Sequence, residues 1–129
     1  MTKSGDTKMV LVIEDEADMR QFVSRVLELE GYHVLQAADD EAGLRLLREG
    51  GISLVLLDLR LSAHDGWTLL VQMKASPELR AIPVIVFTAS ADISLRHRAL
   101  AMGAVDYLVK PLSAARLRTS VGCVLHGKE

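Results

Sequence analysis

The sequence is poor in cysteine. Cys123 is the only one in 129 residues, so no disulfide can close within the chain. A reducing, cytoplasmic setting is the simplest expectation. No sign of charge dominates: the net charge is -2 and the pI about 6.1. That leaves no basic footprint for direct nucleic-acid binding and no charged tail. Long apolar runs are missing too. The longest are of strand length, well short of the ~20 residues of a membrane span. The opening MTKSGDTK has no apolar stretch of the kind a signal peptide carries. There are no repeats, no low-complexity segments and no linker, so one domain over 1–129 is expected, with its core at about 9–125.

What is present is a core. Half of the residues are hydrophobic, which suffices for a domain of this size. Five short runs read as strands: Val10-Leu11-Val12-Ile13, Val34-Leu35-Gln36-Ala37, Leu54-Val55-Leu56-Leu57, Val84-Ile85-Val86-Phe87 and Val105-Asp106-Tyr107-Leu108-Val109. Three are continuously apolar, as strands covered on both faces should be. Helical patterns lie between them. Met19, Phe22, Val23, Val26 and Leu27 recur at spacings of three and four, as do Leu117, Val121, Val124 and Leu125. Ala42, Leu46 and Leu47 do so more loosely. Gly31 and Gly103 stand where helices should stop, Asp92 and Ser113 where they should start. Strand and helix alternating five times predict an α/β fold, a doubly wound parallel sheet of (βα)5 type.

In such sheets the site lies beyond the carboxyl ends of the strands. The residues at those ends are Glu14-Asp15-Glu16, Asp58, Thr88-Ala89-Ser90 and Lys110-Pro111. Clustered carboxylates repel unless a cation joins them. Mg²⁺ suits them, because it takes oxygen ligands from a few carboxylates and keeps several waters. With Lys110 added, the set suits the binding and transfer of a phosphoryl group, with Asp58 as nucleophile.

This ordered set resembles the response-regulator receiver domains of two-component signalling, in particular single-domain receivers like the chemotaxis regulators. It consists of an acidic pair after the first strand, Asp58 after the third, Asp65-Gly66 seven residues on, Thr88-Ala89 after the fourth and Lys110-Pro111 after the fifth. The resemblance implies a flavodoxin-like sheet in the order 2-1-3-4-5. It implies that Asp58 accepts a phosphoryl group from a histidine kinase or a histidine phosphotransfer protein. Asp15 and Asp58 would hold Mg²⁺ together with the backbone carbonyl of Arg60, and Glu14 would act mainly through water. Thr88 and Lys110 would contact the phosphoryl oxygens, Tyr107 would be an aromatic switch coupled to Thr88, and the Lys110-Pro111 bond would be cis. The resemblance implies a signalling phosphoprotein rather than an enzyme, with a protein target and no membrane or nucleic-acid partner of its own.

Some residues depart from the family pattern. Ser62 stands where proline is common, which loosens the loop after Asp58. Glu14 replaces the commoner aspartate. Arg60 is expected to point its side chain toward the phosphoryl group and to affect the access of water. Asp65-Gly66 reads as a turn without a chemical role. His33, His64, His97 and His126 share no ligand spacing and read as surface residues. Cys123 reads as a packing residue of the last helix, and Trp67 as a partly buried residue opening the third. Arg96, Arg98, Arg116 and Arg118 are candidates for partner contacts. Other functions fit less well. A pseudo-receiver needs none of the reactive positions filled here. A Mg²⁺-dependent phosphohydrolase needs an acid two residues past its nucleophile, where Arg60 stands. A flavodoxin needs a hydroxyl- and glycine-rich first loop, which here is acidic.

Overall fold

The computed structural model describes residues 7–60 and 66–127. Ten elements alternate without exception: β1 (Met9–Ile13), α1 (Ala17–Leu29), β2 (His33–Ala37), α2 (Asp40–Glu49), β3 (Leu54–Asp58), α3 (Gly66–Ala75), β4 (Val84–Thr88), α4 (Ile93–Ala101), β5 (Asp106–Val109) and α5 (Ala114–His126). The five strands form one sheet in the order β2-β1-β3-β4-β5, and every pair is parallel. Among the described residues no helix is long and apolar enough to cross a membrane.

Strand periodicity divides the core in two. Leu11, Ile13, Val55, Leu57, Val84 and Val86 face one side, under α2, α3 and α4. Val10, Val12, Leu54, Leu56, Ile85 and Phe87 face the other, under α1 and α5. All of these side chains are buried, which is why the central strands carry no polar residue until they end. Burying each such side chain contributes about 1.5–3 kcal/mol, so the three central strands anchor the fold.

The helix ends follow local chemistry. Side-chain oxygens of Asp39, Asp92 and Ser113 accept backbone N–H bonds at the starts of α2, α4 and α5, satisfying donors that have no partner within the helix. Gly31 and Gly103 leave α1 and α4 at φ 94° and 109°, where a Cβ would be strained.

One apolar pattern proves wider than the face it buries, and one packing expectation is corrected. Phe22 is 39% exposed, because the inward stripe of α1 is narrower than its apolar pattern and runs through Val23, Val26 and Leu27. Cys123 is exposed as well, since α5 turns Leu117, Ser120 and Val121 inward instead. Trp67 is partly buried, as expected. Ser62, His64 and Asp65 lie outside the described residues.

Candidate functional site

Three strands deliver polar residues to the same end of the sheet. Asp58 and Thr88 are the last residues of β3 and β4, and Glu14 directly follows β1. All three are buried, at 2%, 1% and 1% exposure. The ladder extends past the last strand residues: the Glu14 N–H donates to the Ala37 carbonyl at 3.0 Å and the Lys110 N–H to the Thr88 carbonyl at 2.8 Å. Backbone pairing therefore fixes Glu14 and Lys110 as firmly as the strands themselves.

The Lys110 ammonium bridges two acids. It lies 2.7 Å from Glu14 Oε1 and 2.9 Å from Asp58 Oδ2, and 5.2 Å from the centre of the Phe87 ring. The other oxygens of the two acids take backbone donors: the Glu16 N–H bonds Glu14 Oε2 at 2.9 Å, and the Arg60 N–H bonds Asp58 Oδ1 at 2.9 Å. Glu14 feels its burial most. Desolvation pushes its carboxyl up to about 7; the Lys110 and Glu16 hydrogen bonds oppose the rise and the neighbouring Asp58 adds to it. Burial alone would pull Lys110 down, but its hydrogen bonds to Glu14 and Asp58 outweigh that and raise it.

Asp15 completes the cluster. One carboxylate oxygen from each of Glu14, Asp15 and Asp58 lies within 4.8 Å of the others. An all-oxygen donor set of this size fits a hard divalent cation. Among the described residues no histidine belongs to this group. His33 and His97 are exposed. His126 stacks on Tyr32 with ring centroids 5.9 Å apart and lies 3.1 Å from its hydroxyl.

Tyr107 is 2% exposed, with its ring turned into the protein and its hydroxyl donating to the Ser90 carbonyl at 2.9 Å. The Lys110-Pro111 bond is cis, as the resemblance implied. Arg60 is exposed and meets Asp58 through its backbone. Of the four arginines, Arg96 donates to the Tyr107 carbonyl at 3.4 Å, Arg98 lies 4.2 Å from the centre of the Trp67 ring, Arg118 lies 3.8 Å from Glu30, and Arg116 is exposed.

Two residues of this region carry no chemical signature in the sequence. Gly66 opens α3 with its N–H bonded to the Leu59 carbonyl at 2.9 Å. Arg20 donates from Nη1 to the Glu14 carbonyl at 2.8 Å. The spacing of Asp65-Gly66 from Asp58 was the one available hint for the first. For the second there was none, since an arginine on an amphipathic helix reads as a solvated residue.

Comparison with known proteins agrees with this geometry. The family model described as "Response regulator receiver domain" matches residues 10–122. The chain is 36% identical over 116 residues to "Probable transcriptional regulator ycf27" of Porphyridium aerugineum, covering 90% of this chain and 47% of that one. It is 35% identical over 118 residues to "Phosphate regulon transcriptional regulatory protein PhoB" of Escherichia coli (strain K12), covering 92% and 52%. The chain thus spans about half the length of these curated relatives. Among solved structures, the receiver domain of NtrX from Brucella abortus superimposes with a TM-score of 0.85 at 30% identity, covering 92% of this chain and 99% of that one. A two-component response regulator from Clostridium difficile gives 0.86 at 27%, covering 93% and 97%. With sheet order, strand-end acids and family match in agreement, the chain belongs to the response-regulator receiver domains of two-component signalling.

Proposed function

We propose that Asp58 accepts a phosphoryl group from a phosphohistidine, carried by a histidine kinase or a histidine phosphotransfer protein, and that the resulting acyl phosphate resets a protein-binding face. The observation that supports this reading is the bridge of Lys110 between Asp58 and Glu14, at 2.9 and 2.7 Å, beside the half-buried Asp15. A nucleophilic carboxylate held next to a lysine and two further acids is what phosphoryl transfer to an aspartate requires.

An Asp58 carboxylate oxygen attacks phosphorus, the bond from phosphorus to the donor imidazole nitrogen breaks, and the electron pair leaves on that nitrogen. Glu14, Asp15, Asp58 and the Arg60 carbonyl would hold Mg²⁺, which when bound would supply positive charge to offset that on the phosphoryl oxygens. Lys110 pairs with one of those oxygens and the Thr88 hydroxyl bonds another. Each new contact moves the equilibrium only by its preference for the phosphorylated form. The buried ring of Tyr107 belongs to the arrangement that phosphorylation favours, and α4, β5 and α5 form the face that it resets. On this reading residues 1–129 act as one receiver domain, a substrate of its phosphodonor rather than an enzyme with a turnover of its own.

Intact mass after incubation with acetyl phosphate tests this, with and without Mg²⁺, on wild type and Asp58→Asn. One phosphoryl group added to wild type alone, and only with Mg²⁺, is the expected result. Addition to Asp58→Asn would overturn the assignment of the acceptor.

A further inference from the structure

Arg20 has no part in the phosphoryl chemistry above, yet it is bonded to the backbone of the acidic turn. It stands in the first turn and a half of α1, and its guanidinium reaches back toward the end of β1. Nη1 donates to the Glu14 carbonyl at 2.8 Å, and Nε donates to Gln36 Oε1 at 3.2 Å. The Arg20 backbone is fixed on both sides: its N–H bonds the Glu16 carbonyl at 3.0 Å, and its own carbonyl accepts from the Ser24 hydroxyl at 2.8 Å.

The target of Nη1 matters. The Glu14 carbonyl belongs to the peptide plane that joins Glu14 to Asp15. The N–H of Glu14 is already held by Ala37. Fixing the carbonyl as well sets the rotation of the next peptide, and hence the direction in which the Asp15 side chain leaves the backbone. Within the turn the Glu16 N–H also donates to Glu14 Oε2 at 2.9 Å, while the Glu16 side chain makes no cap bond at the start of α1. Arg20 ties the turn to α1 and, through Gln36, to β2.

We propose that Arg20 is a positioning residue for the divalent-cation site, holding the Glu14–Asp15 peptide so that the carboxylates of Glu14, Asp15 and Asp58 converge. The inference rests on the Mg²⁺ site of the reading above. Geometry and electrostatics predict opposite signs here. A guanidinium acting only as a nearby positive charge repels Mg²⁺, so its removal tightens binding. A guanidinium that orients the ligands does the reverse, and losing an outer partner of this kind weakens metal affinity about 10- to 100-fold.

The experiment is calorimetric titration of the full chain with MgCl₂, for wild type, Arg20→Gln and Arg20→Lys. It is paired with intact mass after acetyl phosphate at saturating Mg²⁺. Arg20→Gln is expected to raise the Mg²⁺ Kd about tenfold while still taking one phosphoryl group once Mg²⁺ saturates. Arg20→Lys should also bind weakly, because an ammonium keeps the charge but not the planar pair of donors. Wild-type or tighter Mg²⁺ binding by Arg20→Gln, or full recovery in Arg20→Lys, overturns the inference. Should the Arg20 variants not fold, Gln36→Ala decides, since Gln36 is exposed: weaker Mg²⁺ binding supports the brace and unchanged binding removes it. Wild type failing to bind Mg²⁺ at all would instead count against the Mg²⁺ site itself, so the two failures are distinguishable.

Discussion

Gly66 packs directly on the backbone of Asp58: a Cβ built on Gly66 would lie 2.5 Å from the Asp58 carbonyl oxygen and 2.9 Å from the Leu59 Cα. Both neighbours are main-chain atoms at the end of a central strand, so no side chain can swing away to make room. Gly66→Ala should therefore destabilise the fold by about 1–3 kcal/mol, the usual cost of overpacking. The helix propensity that alanine adds, about 0.5–1 kcal/mol, does not offset this. Gly122 is the control, because it lies within α5 and a Cβ placed there would meet nothing within 4 Å. Gly122→Ala should be neutral or stabilising. Urea unfolding of the two variants checks the contrast, and equal shifts would show that the close approach at Gly66 is relieved at no cost.

The Tyr107 hydroxyl gives a second prediction. It is buried and donates to the Ser90 carbonyl at 2.9 Å, in the segment that leads from β4 to α4. Burial raises its pKa, with the Asp92 charge adding to the rise, so the hydroxyl stays a donor through the neutral range. Tyr107→Phe keeps the ring and removes the bond, at an expected cost of about 1 kcal/mol. The hydroxyl is bonded to Ser90 and not to the Asp58 cluster, so phosphorylation by acetyl phosphate should proceed as in wild type. Unchanged stability in urea would mean that the bond does not hold the ring inward.

Much of this architecture is legible in the sequence, for a definite reason. The runs around Leu11, Leu56 and Ile85 are apolar at every position because helices cover both faces of the central strands. Period and length then leave little choice but a parallel sheet, and a parallel sheet gathers its strand ends. Hence Glu14, Asp58, Thr88 and Lys110 could be placed together before any distance was known. What was not legible depends on tertiary reach. The bond from Arg20 to the Glu14 carbonyl depends on a rotamer and on how α1 is set against β1. The need for glycine at position 66 depends on where α3 begins relative to Asp58. The exposure of Phe22 and Cys123 depends on how each helix is rotated about its axis. Apolar spacing bounds that rotation only to within about one residue on the helix surface.

The raised carboxyl of Glu14 yields a prediction about pH in the metal-free protein. Burial lifts its pKa from 4.5 to about 7, so between those values the folded chain binds a proton that the unfolded chain does not. The stabilising contribution is fully present below about 4.5 and is lost as pH rises through about 7. A group that titrates this way makes the metal-free protein less stable toward neutral pH, which is where a cation at the cluster would restore balance among the carboxylates. Glu14→Gln has no proton to lose. The difference in melting temperature between Glu14→Gln and wild type in EDTA should therefore grow in favour of the variant from about pH 4.5 to about pH 7, then level off. Taking the difference removes the contribution of every other titrating group that the two proteins share. Parallel melting curves for wild type and variant across that range would show that Glu14 is ionised throughout and that Lys110, 2.7 Å away, fully compensates for its burial.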